Sequence, residues 1–186
     1  HDRYRLAVTT ARAKNFAASE TPWVQKAGLA LCYAFNRLDR RHLFRFFERV
    51  IFYSGPLPPP FCFRPGFRGT TVALTPVNFK HAVLASGAIP LVIEGVTDIY
   101  GAPRGVYRDG GVIDYHLDHD YAVRPDDTTL LFHHDERVIP GWLDKKIKGR
   151  KPRAEALDSL LVVTPAPQCV ETLPGGNIPD RDDFLV

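Results

Sequence analysis

The run Gly55-Pro56-Leu57-Pro58-Pro59-Pro60 constrains this chain more than any other feature. Proline fixes φ and lacks an amide hydrogen, so a helix entering this run must end there and a central strand cannot continue through it. Similar punctuation recurs at Thr21-Pro22, Thr75-Pro76, Gly87 to Pro90 and Asp109-Gly110-Gly111. The chain is thereby cut into short elements, and their periodicity decides which are helices and which strands.

Tyr4 to Thr10 alternates, is rich in β-formers, and reads as a strand. Thr21-Pro22 places a capping residue before proline at the first helical position, opening a helix through about Phe35. From Arg37 to Tyr53, Leu38, Leu43, Phe44, Phe46, Phe47, Val50 and Ile51 fall at helical spacing among Arg37, Arg40, Arg41, Arg45 and Arg49, predicting a second helix. Phe61 to Thr71 reads as a loop. Thr75-Pro76 begins a short apolar helix around His81 to Ala85, which Gly87 and Pro90 end. Val106-Tyr107 and Val112-Ile113 read as short strands flanking a turn. Thr128 to Phe132 and Ser159 to Thr164 are continuous apolar runs of the kind found in buried parallel strands. Strands alternating with helices predict an α/β layered fold, and the tail from about residue 165 reads as irregular.

A length of 186 residues, 45% hydrophobic and 24% charged, suits a single domain with a core of its own. A net charge of +3 is too small to make nucleic acid the expected partner. The three cysteines, Cys32, Cys62 and Cys169, are odd in number and form no C-x-x-C pair. They read as small buried hydrophobes in a reducing compartment. No apolar run approaches the ~20 residues of a membrane span, and no signal peptide is visible. The sequence begins at His1, holds no methionine and enters its first strand within a few residues, so it reads as part of a longer chain.

Asp109-Gly110-Gly111 is the sharpest chemical signal. A carboxylate before two glycines suits a tight strand-to-strand turn, where positive φ is allowed and the acid points into a cleft. On its own, an Asp-Gly pair is first of all a turn former. Upstream, however, stands Ala85-Ser86-Gly87-Ala88-Ile89-Pro90 at a helix end, followed by Tyr100-Gly101-Ala102-Pro103-Arg104-Gly105-Val106-Tyr107-Arg108-Asp109-Gly110-Gly111-Val112. Two blocks in this order resemble the patatin-like phospholipase family, most strongly from Thr75 to Asp120.

The resemblance implies a three-layer α/β fold and a serine–aspartate dyad that cleaves lipid or phospholipid esters, with no cofactor and no metal. Asp109 takes the place of the family's catalytic aspartate, and Gly110 and Gly111 shape its turn. A serine hydroxyl is too weakly acidic to attack an ester unaided, so a neighbouring base must accept its proton. The family places that serine in a G-x-S-x-G elbow. Ser19, Ser54, Ser86 and Ser159 all lack this frame. The resemblance therefore puts the nucleophile upstream of His1, leaves these residues alone inactive, and implies an incomplete sheet with an exposed edge. The related transacylases pair serine with histidine instead, a pairing with little support here. A different class of reading is a non-catalytic interaction or membrane-docking module that keeps the fold without the chemistry.

The chain also departs from the family, which commonly continues Asp-Gly-Gly with an asparagine and a proline. Here Val112-Ile113-Asp114-Tyr115-His116-Leu117-Asp118 follows and offers Asp114 and Asp118 as rival carboxylates. His116, His119 and Asp120, and separately His133-His134-Asp135-Glu136, hold zinc-ligand residue types. Their spacing is not H-E-x-x-H, and they read as polar rim at the sheet's C-terminal edge. The Arg37 to Tyr53 segment has the character of an interfacial membrane helix, although a core-facing helix with snorkelling arginines is the commoner case. Lys145 to Arg153 reads as a solvated basic loop that would also favour anionic headgroups. A cytoplasmic location or a peripheral membrane surface is expected; oligomeric state is left open.

Overall fold

The computed structural model describes residues 4–64, 67–116, 119, 121–122, 124 and 126–179. Its centre is a mixed five-stranded sheet in the order β3-β2-β1-β5-β4. The strands are β1 (Ala7–Ala13), β2 (Phe47–Tyr53), β3 (Thr70–Ala73), β4 (Val96–Thr97) and β5 (Val106–Asp109). β1 pairs antiparallel with both β2 and β5, β2 runs parallel to β3, and β4 pairs antiparallel with β5. The edges are short: four residues in β3 and two in β4.

Helices cover both faces of this sheet. Side chains alternate along a strand, so Val8 on β1 faces one way with Val50 and Phe52 of β2, while Ala11 and Ala13 face the other with Phe47. The first face packs Ala82 and Ala85 of α2 (Phe79–Ser86). The second packs Leu29 and Cys32 of α1 (Pro22–Leu38), a turn apart on the helix side that also buries Gln25 and Asn36. The molecule is thus mixed α/β.

Several expectations are corrected. The helix expected over Arg37 to Tyr53 is a 3₁₀ segment (Arg40–Arg45) followed by β2. Phe47, Val50, Ile51, Phe52 and Tyr53 are strand formers, and a central strand with helices on both sides buries both faces, which erases its alternation. The match to helical spacing was a coincidence of a both-sided apolar run, and the interfacial-helix reading falls with it. The first strand lies three residues later than expected, and the Phe61 to Thr71 loop ends in β3. Val112-Ile113 belongs to a one-turn helix, α3 (Gly111–Asp114), so the turn after Asp109 runs from strand to helix.

The expected parallel strands are β6 (Thr129–Phe132) and β7 (Leu160–Val163), which pair in parallel as a separate two-stranded sheet. Both alternate between half-buried and exposed residues; a ribbon of two strands, touched by the short α4 (Ala154–Leu157), cannot bury both faces. The tail expected to be irregular from about 165 contains α5 (Pro167–Glu171), opened by proline at its first position. Cys32 is buried as expected, Cys62 is half-buried, and Cys169 is exposed. No helix among the described residues is long and apolar enough to cross a membrane.

Candidate active site

Asp109 is the last residue of β5 and stands opposite Thr10 of β1. Arg108 and Asp109 point to opposite faces, as successive strand residues must. Arg108 turns toward the α1 side, where it donates to Glu20 Oε1 at 2.6 Å. Asp109 turns toward α2, and its backbone N–H donates to the Ala88 carbonyl at 3.1 Å. The two sequence blocks that carry the family resemblance are therefore physically joined.

The two glycines serve close approach, not positive φ. Gly110 has φ −61°, an ordinary helical value. A Cβ there would lie 2.4 Å from the Thr9 carbonyl oxygen, inside any tolerable contact. A Cβ on Gly111 would lie 3.0 Å from Asp109 Oδ1 and press on the carboxylate. With glycine there, the Gly111 N–H donates to Oδ1 at 2.7 Å. The other oxygen, Oδ2, accepts no hydrogen bond among the described residues. Burial raises the Asp109 pKa above the usual carboxylate value, and the Gly111 bond opposes this in part. One oxygen is anchored and the other is free and more basic than usual.

That carboxylate opens into a cleft of about 1560 Å³ between α1, α2 and the start of β1. Leu6, Leu29, Val83, Ile89 and Leu91 form much of its wall. Leu91 holds a left-handed backbone (φ 68°), and its N–H donates to Gln25 Oε1 of α1 at 2.7 Å. Trp142, Leu143, Lys145 and Lys146 line it too, and the first two pack against the cluster that holds Leu29. Ser86 also lines the cleft, but its hydroxyl donates to the Val83 carbonyl at 2.8 Å within α2. Ser54 Oγ accepts from Leu6 N–H, and Ser19 Oγ accepts from Thr21 N–H. No serine bonds to Asp109 among the described residues.

The rival Asp114 has a different environment. Arg49 grips it through Nε to Oδ2 and a terminal nitrogen to Oδ1, each at 2.5 Å, and the carboxylate is fully buried. Burial alone would raise its pKa, but the Arg49 charge, the neighbouring His119 ring and the hydrogen bonds from Arg49 outweigh that and hold it well below the usual range. Asp114 is a structural ion pair, not a free base. Asp118 and Asp120 lie outside the described residues.

The histidine cluster divides in two. His119 is buried beside Asp114, with Nε2 3.6 Å from Oδ2 and its ring stacked on Phe61. His116 instead meets His133 and His134, with ring centroids 3.9 and 6.4 Å away, and its Nδ1 accepts from Ile139 N–H at 2.9 Å. Burial, then the charges of His133, His134 and Lys145, push its pKa down to about 4. Among the described residues no three His, Cys, Asp or Glu side chains are arranged to hold a metal ion.

Sequence reasoning passed over the lysines of this cleft. Lys145 and Lys146 were read with the solvated basic loop, yet the preceding Asp144 is fully buried and accepts from Asn36 (2.7 Å) and Arg40 (3.1 Å), with Arg150 Nε 3.2 Å away. The contacts to Asn36 and Arg40 span 108 and 104 residues, so no local pattern could reveal them. No family model, no curated protein and no solved structure matches this chain significantly.

Proposed function

We propose that Asp109 is the proton acceptor of a serine–aspartate dyad, and that these residues belong to a three-layer patatin-like hydrolase of lipid or phospholipid acyl esters. One observation carries the reading: a carboxylate with one oxygen anchored by Gly111 N–H and the other free, facing an apolar cleft. Gly110 and Gly111 hold the turn that presents it. The raised pKa suits a general base, since a more basic carboxylate takes a hydroxyl proton at lower cost.

In this reaction Asp109 Oδ2 takes the proton of a serine hydroxyl while the serine oxygen attacks the ester carbonyl carbon. The tetrahedral intermediate then collapses, the carbon–oxygen bond to the leaving alcohol breaks, and Asp109 returns the proton to that alcohol. Water, deprotonated by the same carboxylate, releases the fatty acid and restores the serine. The serine comes from elsewhere in the protein, because Ser86, the serine among the described residues that lines the cleft, donates its hydroxyl to the Val83 carbonyl. No cofactor and no metal enters the scheme. The apolar walls hold the acyl chain, and the protein works in the cytoplasm or at a membrane surface.

A second reading, a non-catalytic docking module with this fold, is favoured by the absence of a serine bonded to Asp109 among the described residues. Full-length protein is to be assayed on a short-chain nitrophenyl ester, with Asp109→Asn as the variant. The dyad requires activity in the parent and a loss of at least ~10³-fold in the variant, the scale of removing an activating base. Parent activity retained in full by Asp109→Asn refutes the assignment, and an inactive parent favours the docking module.

A further inference from the structure

We infer that the cleft selects amphiphiles carrying an anionic head group, with Lys145 and Lys146 as the residues that read the head. This rests on the cleft being the acyl-binding site proposed above, and adds what the cleft demands of the rest of the ligand. Its lining combines apolar side chains, among them Leu29, Val83 and Leu91, with the two lysines. Among the lining carboxylates, Asp114 is neutralised by Arg49, so Asp109 alone opposes two cations. An apolar tail with a negatively charged head matches both kinds of lining, whereas a zwitterionic head gains less from the two cations.

The lysines are also held in place. Asp144, immediately before Lys145, is fixed by Asn36 and Arg40 from the α1 region and by Arg150 from the other side of the loop. Lys145 Nζ rests 4.2 Å from the centroid of the Tyr115 ring, which also lines the cleft. The ammonium is therefore positioned before ligand arrives, and little side-chain entropy remains to be lost on binding. Lys146 follows on the same anchored turn. Two cations beside a bound anion favour it by about tenfold in affinity.

The test is calorimetric titration of the full-length protein with dodecyl phosphate, dodecylphosphocholine and inorganic phosphate, below micelle formation. Expected is dodecyl phosphate binding about tenfold tighter than dodecylphosphocholine, with the preference shrinking as salt rises. Lys146→Gln and the double variant Lys145→Gln/Lys146→Gln should lose the preference while keeping dodecylphosphocholine affinity. Lys148→Gln, on the same loop but outside the cleft, should change nothing. Equal affinities in the parent, or a preference that survives the double variant, overturn the inference while leaving the acyl site standing. Inorganic phosphate binding as tightly as dodecyl phosphate also overturns it, by assigning the lysines to free anions. Failure of both amphiphiles to bind removes the acyl site itself, and with it the inference.

Discussion

Replacing Asp114 by Asn separates the two carboxylates of this region by their energetics. Asn keeps the shape and one acceptor but removes the charge facing Arg49, whose side chain is 5% exposed against 0% for Asp114. Breaking a buried ion pair from one side costs about 3–5 kcal/mol, because the remaining charge stays desolvated. Arg49 retains some compensation: it donates to the Arg68 carbonyl at 3.0 Å and lies over the rings of Phe44 and Phe67. The lower end, about 3 kcal/mol, is therefore expected. For a chain of this size that lowers Tm by roughly 6–12 °C. The measurement is urea and thermal unfolding followed by circular dichroism, parent against variant. A loss below about 1 kcal/mol would show that the pair is not the buried ion pair described, and would return Asp114 to the candidate bases. Asp109→Asn is the counterpart. Its raised pKa means that the folded state disfavours the charge, so the neutral residue should leave stability unchanged or slightly higher. The linkage follows the same logic: the stability contributed by Asp114 is present above its unfolded pKa of about 4 and drains away as pH falls below that.

Three further outcomes are expected. His116 has a folded pKa near 4, below its unfolded value, so unfolded chains bind the proton first and stability falls as pH drops from about 6.5 toward 4. The loss at pH 5 relative to pH 8 should be about 1–2 kcal/mol, and His116→Asn, which can keep the acceptor for Ile139 N–H, should flatten that slope in pH-dependent urea titrations; an unchanged slope refutes the assignment. Gly110→Ala drives a methyl into the Thr9 carbonyl at 2.4 Å, where backbone cannot yield, and should cost about 3 kcal/mol in chemical denaturation; a change under 1 kcal/mol contradicts the close approach. Among the cysteines, exposed Cys169 should react at once with a thiol reagent in the native protein. Cys32, buried and with its thiol pushed up to about 12, should react only after unfolding, and early labelling of Cys32 would contradict its place on the buried face of α1.

Much of the local structure is legible in the sequence. Pro22 opens α1, Gly87 closes α2, and the chain leaves β5 at Asp109, all where proline, glycine and side-chain size demand. The apolar runs marked β6 and β7 as strands of the parallel type, but neither their pairing with one another apart from the main sheet nor their half-exposed faces could be read from them. Phe47 to Tyr53 was misread because a strand buried on both faces shows no period of two, and seven residues are too few to separate it from a helix by periodicity. Val112-Ile113 was misread because a single helical turn has no period at all.

The sequence alone determined where elements begin and stop, and it singled out Asp109 as an acid before two glycines. Which carboxylate is free was decided only by tertiary contact. Asp114 is neutralised by Arg49, 65 residues away, while Asp109 has one oxygen anchored by Gly111 N–H and the other open to the cleft. The same holds for the lysines of the cleft, fixed through Asp144 by Asn36, 108 residues distant. Propensity and capping act over a few neighbouring residues, whereas ion pairing and desolvation depend on what the fold brings within a few ångströms, and that distance is not written in sequence separation.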